Sequence, residues 1–271
     1  MSVITTLITR TATIHATDSL VTQLQPDGKR KVLKSEETKI VRVDHFRGAM
    51  SYWGLAEIDG RWSTLKWLRD QAGRAGKFDS PQAFAEAMAA ELNDELAKIR
   101  FMRAVDAGIG IHFSAYERFE LRWIPEFFAV TNWLNPEYVE LSPAGVGVTR
   151  ETHHWLFDQI PNAADADKDR RLKVWQAFQD GAWLRFNNGD PRLYNLAANV
   201  IFQMADELKA RGILRQTDDV ETLRSLTRRP VEVVSEIQRD FCAPDTRVVG
   251  GKVHDLVVTP SGHYSSTSGD A

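Results

Sequence analysis

The order of segments along this sequence predicts an α+β fold: a four-layer αββα sandwich, in which two stacked, mainly antiparallel sheets lie between helical layers. Three observations carry that expectation. Short β-branched, alternating segments open the chain, amphipathic helical patterns follow them, and a second set of alternating segments is again followed by helix before a late strand. A sheet face and a helix stripe must each bury an apolar side, and packed layers satisfy both.

The elements follow in order. Val3-Ile4-Thr5-Thr6-Leu7-Ile8-Thr9 alternates with period two, and Ala12-Thr13-Ile14-His15-Ala16-Thr17 repeats the pattern. With Arg10-Thr11 as the turn, Thr9 faces Ala12, and Ser2 falls opposite Ser19, beside Asp18. Arg-Thr is not a favoured two-residue turn, and a one-residue slip would move every side chain to the other face. Gln25-Pro26-Asp27-Gly28-Lys29-Arg30-Lys31 is a polar surface hairpin or loop. Lys39-Ile40-Val41-Arg42-Val43 is a third strand lying next to the hairpin, and Phe46 to Trp53 is a fourth. Trp62 to about Arg74 has helical spacing at Trp62, Leu65 and Leu68. Ser80-Pro81 is an N-cap with proline in the first turn. The stripe Phe84, Met88, Leu92, Leu96 and Ile99 then makes a helix that covers a sheet.

Gly108 to Glu117 and Arg122 to Val130 are the next strand pair, with Pro125 confined to an edge or a bulge. Pro161 to Asp167 is a polar connector. Helical patterns run through Arg185 and again from about Arg192 to Ala210, an elaborated outer helical layer at about 150–230. The expected organisation is a single domain over 1–260, with 261–271 a disordered, Ser/Gly-rich tail.

Composition narrows the function classes. The 271 residues are 43% hydrophobic with a formal charge of −3, which gives no electrostatic case for nucleic acid or an acidic membrane surface. Cys242 stands alone, so neither an intrachain disulfide nor a cysteine metal cluster is expected. No apolar run approaches the ~20 residues of a membrane span, and the amino end lacks an export pattern. A cytoplasmic location follows as the default. His153-His154 are adjacent, so on a helix they point in different directions and make a poor metal pair. Gly145-Val146-Gly147 lacks the strand–helix context of a phosphate loop. No cofactor or metal is expected.

What the hairpin register brings together is a chain-terminal Ser2 hydroxyl and amine, the Asp18 carboxylate and the Lys39 ammonium. A serine hydroxyl needs a base to become a nucleophile. The α-amine of the same residue, with an ordinary pKa near about 8, is suited to that role once Met1 is gone. A nearby ammonium favours the neutral amine and stabilises an alkoxide. Asp18 and Lys39 are equally read as a structural ion pair. Gly54 either frees backbone N–H groups for an oxyanion or simply permits close packing, and Trp53 is either a wall of the same cleft or core. In this register Thr5 lies opposite Ala16, away from Asp18.

These segments resemble the proteasome β-subunit superfamily of N-terminal-nucleophile (Ntn) hydrolases, including its bacterial ring peptidases. Asp18-Ser19-Leu20-Val21-Thr22 is similar to the family's Asp-Ser-Arg-x-Thr stretch, and Lys39-Ile40-Val41-Arg42-Val43 to its lysine-headed strand. Tyr52-Trp53-Gly54-Leu55-Ala56 resembles its small-residue segment before the first helix, Gly108 to Glu117 its strand ending in Gly-Tyr-Asp, and Gly251 to Thr259 its final core strand. The resemblance spans most of residues 2–116 and 228–260. It implies hydrolysis of peptide or other amide bonds with catalytic Ser2, Asp18 and Lys39, an oxyanion and substrate site at Gly54 and Trp53, a homo-oligomeric ring and an activating ATPase partner. A non-catalytic structural subunit or binding scaffold of the same fold is the alternative. Three departures stand against the family pattern: serine replaces the usual threonine, Leu20 holds a position normally arginine, and no additional serine–aspartate pair is placed in residues 117–165.

Overall fold

The computed structural model describes residues 2–25, 27, 29–58, 60–101, 104–134, 140–158, 167–188, 194–214 and 219–266. Its architecture is α+β, with several antiparallel sheets.

Strands β1 (Ile4–Ile8) and β2 (Thr13–Asp18) pair with Ile4 opposite Thr17 and Ile8 opposite Thr13, the register given by a turn at Arg10-Thr11. An Asp18 N–H to Val3 C=O bond of 3.3 Å extends the ladder towards Ser2. Thr9 overcomes the poor turn dipeptide. Its N–H donates to the Ala12 carbonyl at 2.9 Å, and its hydroxyl donates to the same carbonyl at 3.0 Å while accepting from Ala12 N–H at 3.1 Å and Thr11 N–H at 3.3 Å. The side chain supplies the hydrogen bonds that the turn sequence does not.

β3 (Val21–Leu24) and β4 (Arg30–Lys34) form the expected surface hairpin. Asp27 accepts from Lys29 N–H at 3.0 Å; Pro26 and Gly28 of that turn lie outside the described residues. β5 (Ile40–Val43) leads through a 3₁₀ turn at Asp44–Phe46 into β6 (Gly48–Gly54), so this strand starts two residues later than its sequence pattern does. β7 (Glu57–Ile58) pairs with β8 (Trp62–Ser63), which removes Trp62 from the expected helix. Helix α1 (Thr64–Arg74) starts after Ser63, whose hydroxyl caps Lys66 N–H at 3.3 Å. α2 (Pro81–Ala97) has the expected Ser80 cap, 3.1 Å from Ala83 N–H.

β9 (Ile109–Phe119) and β10 (Arg122–Thr131) form the long hairpin. β11 (Gly147–Arg150) covers β10 only from Phe128 to Thr131, so the Pro125 nitrogen faces an unpaired edge, as proline requires. α3 (Glu151–Asp158) and α4 (Asp167–Gln179) follow; the connector at 161–166 lies outside the described residues. β12 (Leu184–Asn188) is a correction, since the helical pattern was expected to run through Arg185. α5 (Tyr194–Ala210) and α6 (Val220–Phe241) complete the helices, and α6 continues through Pro230 beyond the expected helical region. β13 (Val253–Val258) is the late strand. Tyr264–Ser266 forms β14 on its edge, a second correction to the tail expected from 261; residues 267–271 lie outside the described set.

One sheet has the order β12-β1-β2-β13-β14 and the other β11-β10-β9-β6-β5. α1 and α2 pack on one face of the second sheet around Tyr52, Phe84, Met88 and Phe113. α5 and α6 pack on the first sheet through Tyr194, Phe202, Leu223 and Val231. The opposite faces of the two sheets meet. Ile40, Ala49, Tyr116, Leu256 and Val258 form an apolar cluster there, and Phe127 stacks on Phe186 at 3.9 Å between centroids.

Between these patches the interface is polar. Thr6 and His15 of β1 and β2 meet Ser51, His112 and Ser114 of β6 and β9, all of them buried. His15 Nδ1 lies 2.8 Å from Ser51 Oγ and its Nε2 2.8 Å from Ser114 Oγ, while Thr6 Oγ1 lies 2.8 Å from His112 Nδ1. His112 Nε2 reaches Asn188 Oδ1. Burial, with His112 nearby, holds the His15 pKa well below its ordinary value; burial brings His112 down from 6.5 to about 3.

Candidate active site at the end of the first hairpin

Ser2, Asp18 and Lys39 converge. Lys39 Nζ donates to Ser2 Oγ at 2.7 Å, Asp18 Oδ1 at 3.0 Å and the Leu20 carbonyl at 2.7 Å. Three acceptors match the three N–H donors of an ammonium. Lys39 comes from the facing sheet, not from a strand beside the hairpin, because β5 belongs with β6 and β9. Tyr52 N–H donates to the Lys39 carbonyl at 3.3 Å and fixes the backbone at that point.

Asp18 is held as firmly. Its Oδ1 also accepts from Val3 N–H at 3.0 Å, and its Oδ2 accepts from Leu20 N–H at 3.2 Å and Gly250 N–H at 3.3 Å. Four N–H donors fill the acceptor capacity expected of a carboxylate. Both charged side chains are 0% exposed. Burial lowers the Lys39 pKa from its ordinary value, and Asp18, with Glu37 further off, opposes that fall. Glu37 is itself fixed by Tyr52 Oη at 2.6 Å and Lys34 Nζ at 2.5 Å.

Gly54 ends β6 with φ +86°, and a Cβ there would sit 2.3 Å from the Gly108 carbonyl oxygen. Close packing and backbone conformation therefore both require glycine. Alternation along the ladder adds a further property. Leu55 N–H donates towards β9, at Gly108, and Tyr52 N–H towards β5, at Lys39. The Gly54 N–H therefore points to the β5 side, past Ile40, where β5 begins. Trp53 is 2% exposed, lies over Gly110 and meets His112 edge-on at 5.1 Å, inside the sheet interface. Thr5 lies on the helix-facing side of β1 opposite Ala16, while Thr6 belongs to the polar interface.

Sequence reasoning missed the backbone around this group. Gly250 supplies an amide to Asp18, and a Cβ on Gly251, where φ is +76°, would sit 2.2 Å from Ser19 Oγ. Ser19 Oγ donates to Ser35 C=O at 2.6 Å and accepts from Lys252 N–H at 2.8 Å, which ties this loop to the hairpin end. The adjacent glycines before a strand are the signal that marks such a close approach. Among the described residues no cluster of three or more His, Cys, Asp or Glu side chains is placed to hold a metal, and no helix is long and apolar enough to cross a membrane.

No protein-family model matches this chain, and no curated protein matches it.

Proposed function

We propose that this chain is a proteasome-like Ntn hydrolase with an αββα sandwich, cleaving amide bonds in peptides with Ser2 as nucleophile. The observation that carries the reading is the Lys39 ammonium on Ser2 Oγ at 2.7 Å, with its other donors on Asp18 and Leu20. A lysine using all three donors has no lone pair for a proton. It serves as an electrostatic partner, and the base is the Ser2 α-amine once Met1 is removed.

In this mechanism the Ser2 hydroxyl adds to the amide carbonyl and its proton passes to the α-amine. The Gly54 N–H stabilises the oxyanion. Collapse breaks the C–N bond as the amine leaving group takes that proton. Water then adds to the ester, the α-amine again relays the proton, and the acid is released with Ser2 restored. Assembly of several copies belongs to the same reading. It is supported by the row Leu196, Val200, Met204 and Leu208, exposed at four-residue spacing along α5.

The test joins intact mass with covalent labelling. The purified protein should lack Met1 and gain the mass of an amide-bearing β-lactone; Ser2→Ala should gain none. Ser2 adds to the lactone carbonyl, the ring C–O bond breaks, and the ring oxygen takes the hydroxyl proton, so the entire probe mass is retained. Labelling that survives in Ser2→Ala would overturn the assignment. A second reading, a non-catalytic scaffold of the same fold, draws on the burial of Ser2, which is 4% exposed. Retained Met1 together with an unlabelled wild type would select it.

A further inference from the structure

His254 stands on the sheet face that meets the second sheet. In β13 it pairs with Thr17 of β2, which pairs with Ile4 of β1. Paired residues share a face, and this is the face that carries Thr6, His15 and Leu256. Leu256 packs with Ile40. His254, two residues closer to the Asp18 end of the sheet, is therefore level with Lys39. It is 7% exposed and Thr17 is fully buried, yet among the described residues neither imidazole nitrogen nor the Thr17 hydroxyl has a hydrogen-bond partner.

Two buried polar side chains without partners, side by side on adjacent strands, are expensive unless something binds them. They form a donor–acceptor set about 5 Å across. Burial, with Lys252 and Lys39 nearby, lowers the His254 pKa, so the imidazole offers one N–H and one lone pair. Local charges are already matched: Lys39 pairs with Asp18 at 3.0 Å and Lys252 with Glu36 at 3.0 Å. The set therefore suits a neutral group with one donor and one acceptor, which is what a peptide amide presents.

We propose that His254 and Thr17 are substrate-positioning residues that bind an uncharged amide of a peptide while its neighbouring carbonyl is presented to Ser2. The assignment rests on the hydrolase reading above and adds to it the two side chains that hold the peptide beside the bond to be cleaved. The imidazole takes or gives the hydrogen bond on one side of the amide and the Thr17 hydroxyl completes the other.

The experiment measures Ser2 acylation by two β-lactones of similar size, one bearing a secondary amide beside the ring and one with an alkyl chain in its place. The readout is the ratio of their second-order rate constants, obtained by intact mass. In the wild type the amide-bearing lactone should react at least about tenfold faster, which corresponds to about 1.4 kcal/mol. The ratio should fall towards one in His254→Phe and in Thr17→Val, with the change in the half-saturating concentration. His254→Gln, which keeps a donor and an acceptor, should recover much of it. A wild-type ratio near one, or an unchanged ratio in His254→Phe, overturns the proposal. Loss of structure alone would slow both probes and leave the ratio where it was. Failure of the Ser2 reading appears differently, as labelling of neither probe at Ser2 or as labelling that persists in Ser2→Ala.

Discussion

The buried histidines between the sheets make stability depend on pH in a direction that can be stated in advance. His15 and His112 are neutral in the fold because burial depresses both pKa values, the second to about 3. In the unfolded chain each titrates near its ordinary value of 6.5. Below that value the unfolded state binds more protons than the native state, so stability is full above about pH 6.5 and falls as the pH falls. Each histidine contributes a slope of about 1.4 kcal/mol per pH unit. Two together give nearly 3 kcal/mol per unit, so a step from pH 6 to pH 4.5 removes about 4 kcal/mol. A domain holds about 5–15 kcal/mol in all.

Urea unfolding at half-unit intervals measures that slope directly, provided the dependence on urea stays constant. The comparison protein is His15→Gln combined with His112→Gln, which cannot titrate. His254 is also lowered and acts in the same direction. It is present in both proteins, so the difference between their slopes isolates the pair. Glu126 enters only at lower pH. Burial pushes its carboxyl up, but His153 and Arg150 bring it from 4.5 down to about 2, so its contribution is lost below about pH 4.5. Parallel stability curves for wild type and double variant between pH 6.5 and 4.5 would refute the reasoning. They would mean that the native fold accepts protons at these rings.

The ion pair at the hairpin end predicts an asymmetry. Asp18→Asn leaves a fully buried ammonium without its counter-charge and should cost about 3–5 kcal/mol, whereas Lys39→Met leaves Asp18 with the Val3, Leu20 and Gly250 amides and should be milder by at least about 1 kcal/mol; equal urea midpoints would contradict this. At the turn, Thr9→Val keeps the shape but removes the hydroxyl that bonds Thr11 and Ala12, so it should lose about 1–2 kcal/mol, and an unchanged midpoint would show that the turn closes without it.

Much of the candidate site is legible because it is local. Alternation in Val3–Thr9 and Ala12–Thr17 defines two strand faces, and the short space between them leaves little freedom of register. The helix at Pro81 is equally plain, since cap and stripe agree. Long-range placement is not local. Nothing in Lys39–Val43 says that its strand joins the facing sheet, and the Lys39–Asp18 contact depends on how two sheets meet. Leu184–Asn188 is short, ends in two asparagines and lies between helical patterns, so its pairing with β1 decides its conformation more than its own propensity does. Tyr264–Ser266 is too short for any periodic signal and exists as a strand only against β13. Trp62 continues a helical spacing but is taken by a two-residue ladder with β7.

The polar sheet interface and the site are linked by the same period of two. A one-residue slip of β1 against β2 would carry Ser2 off the face that meets Lys39. It would also turn Thr6 from His112 towards the helix-facing side, where Leu7 and Tyr194 belong to apolar packing. His112 would then lose its Thr6 partner in a dry interior, and an unpaired buried polar group costs about 1–3 kcal/mol. An all-apolar interface would tolerate that slip far better, since one aliphatic side chain replaces another with little penalty. The histidine and hydroxyl network thus acts on the site without touching it: by making the wrong register expensive, it keeps the Ser2 hydroxyl within reach of an ammonium that arrives from the other sheet.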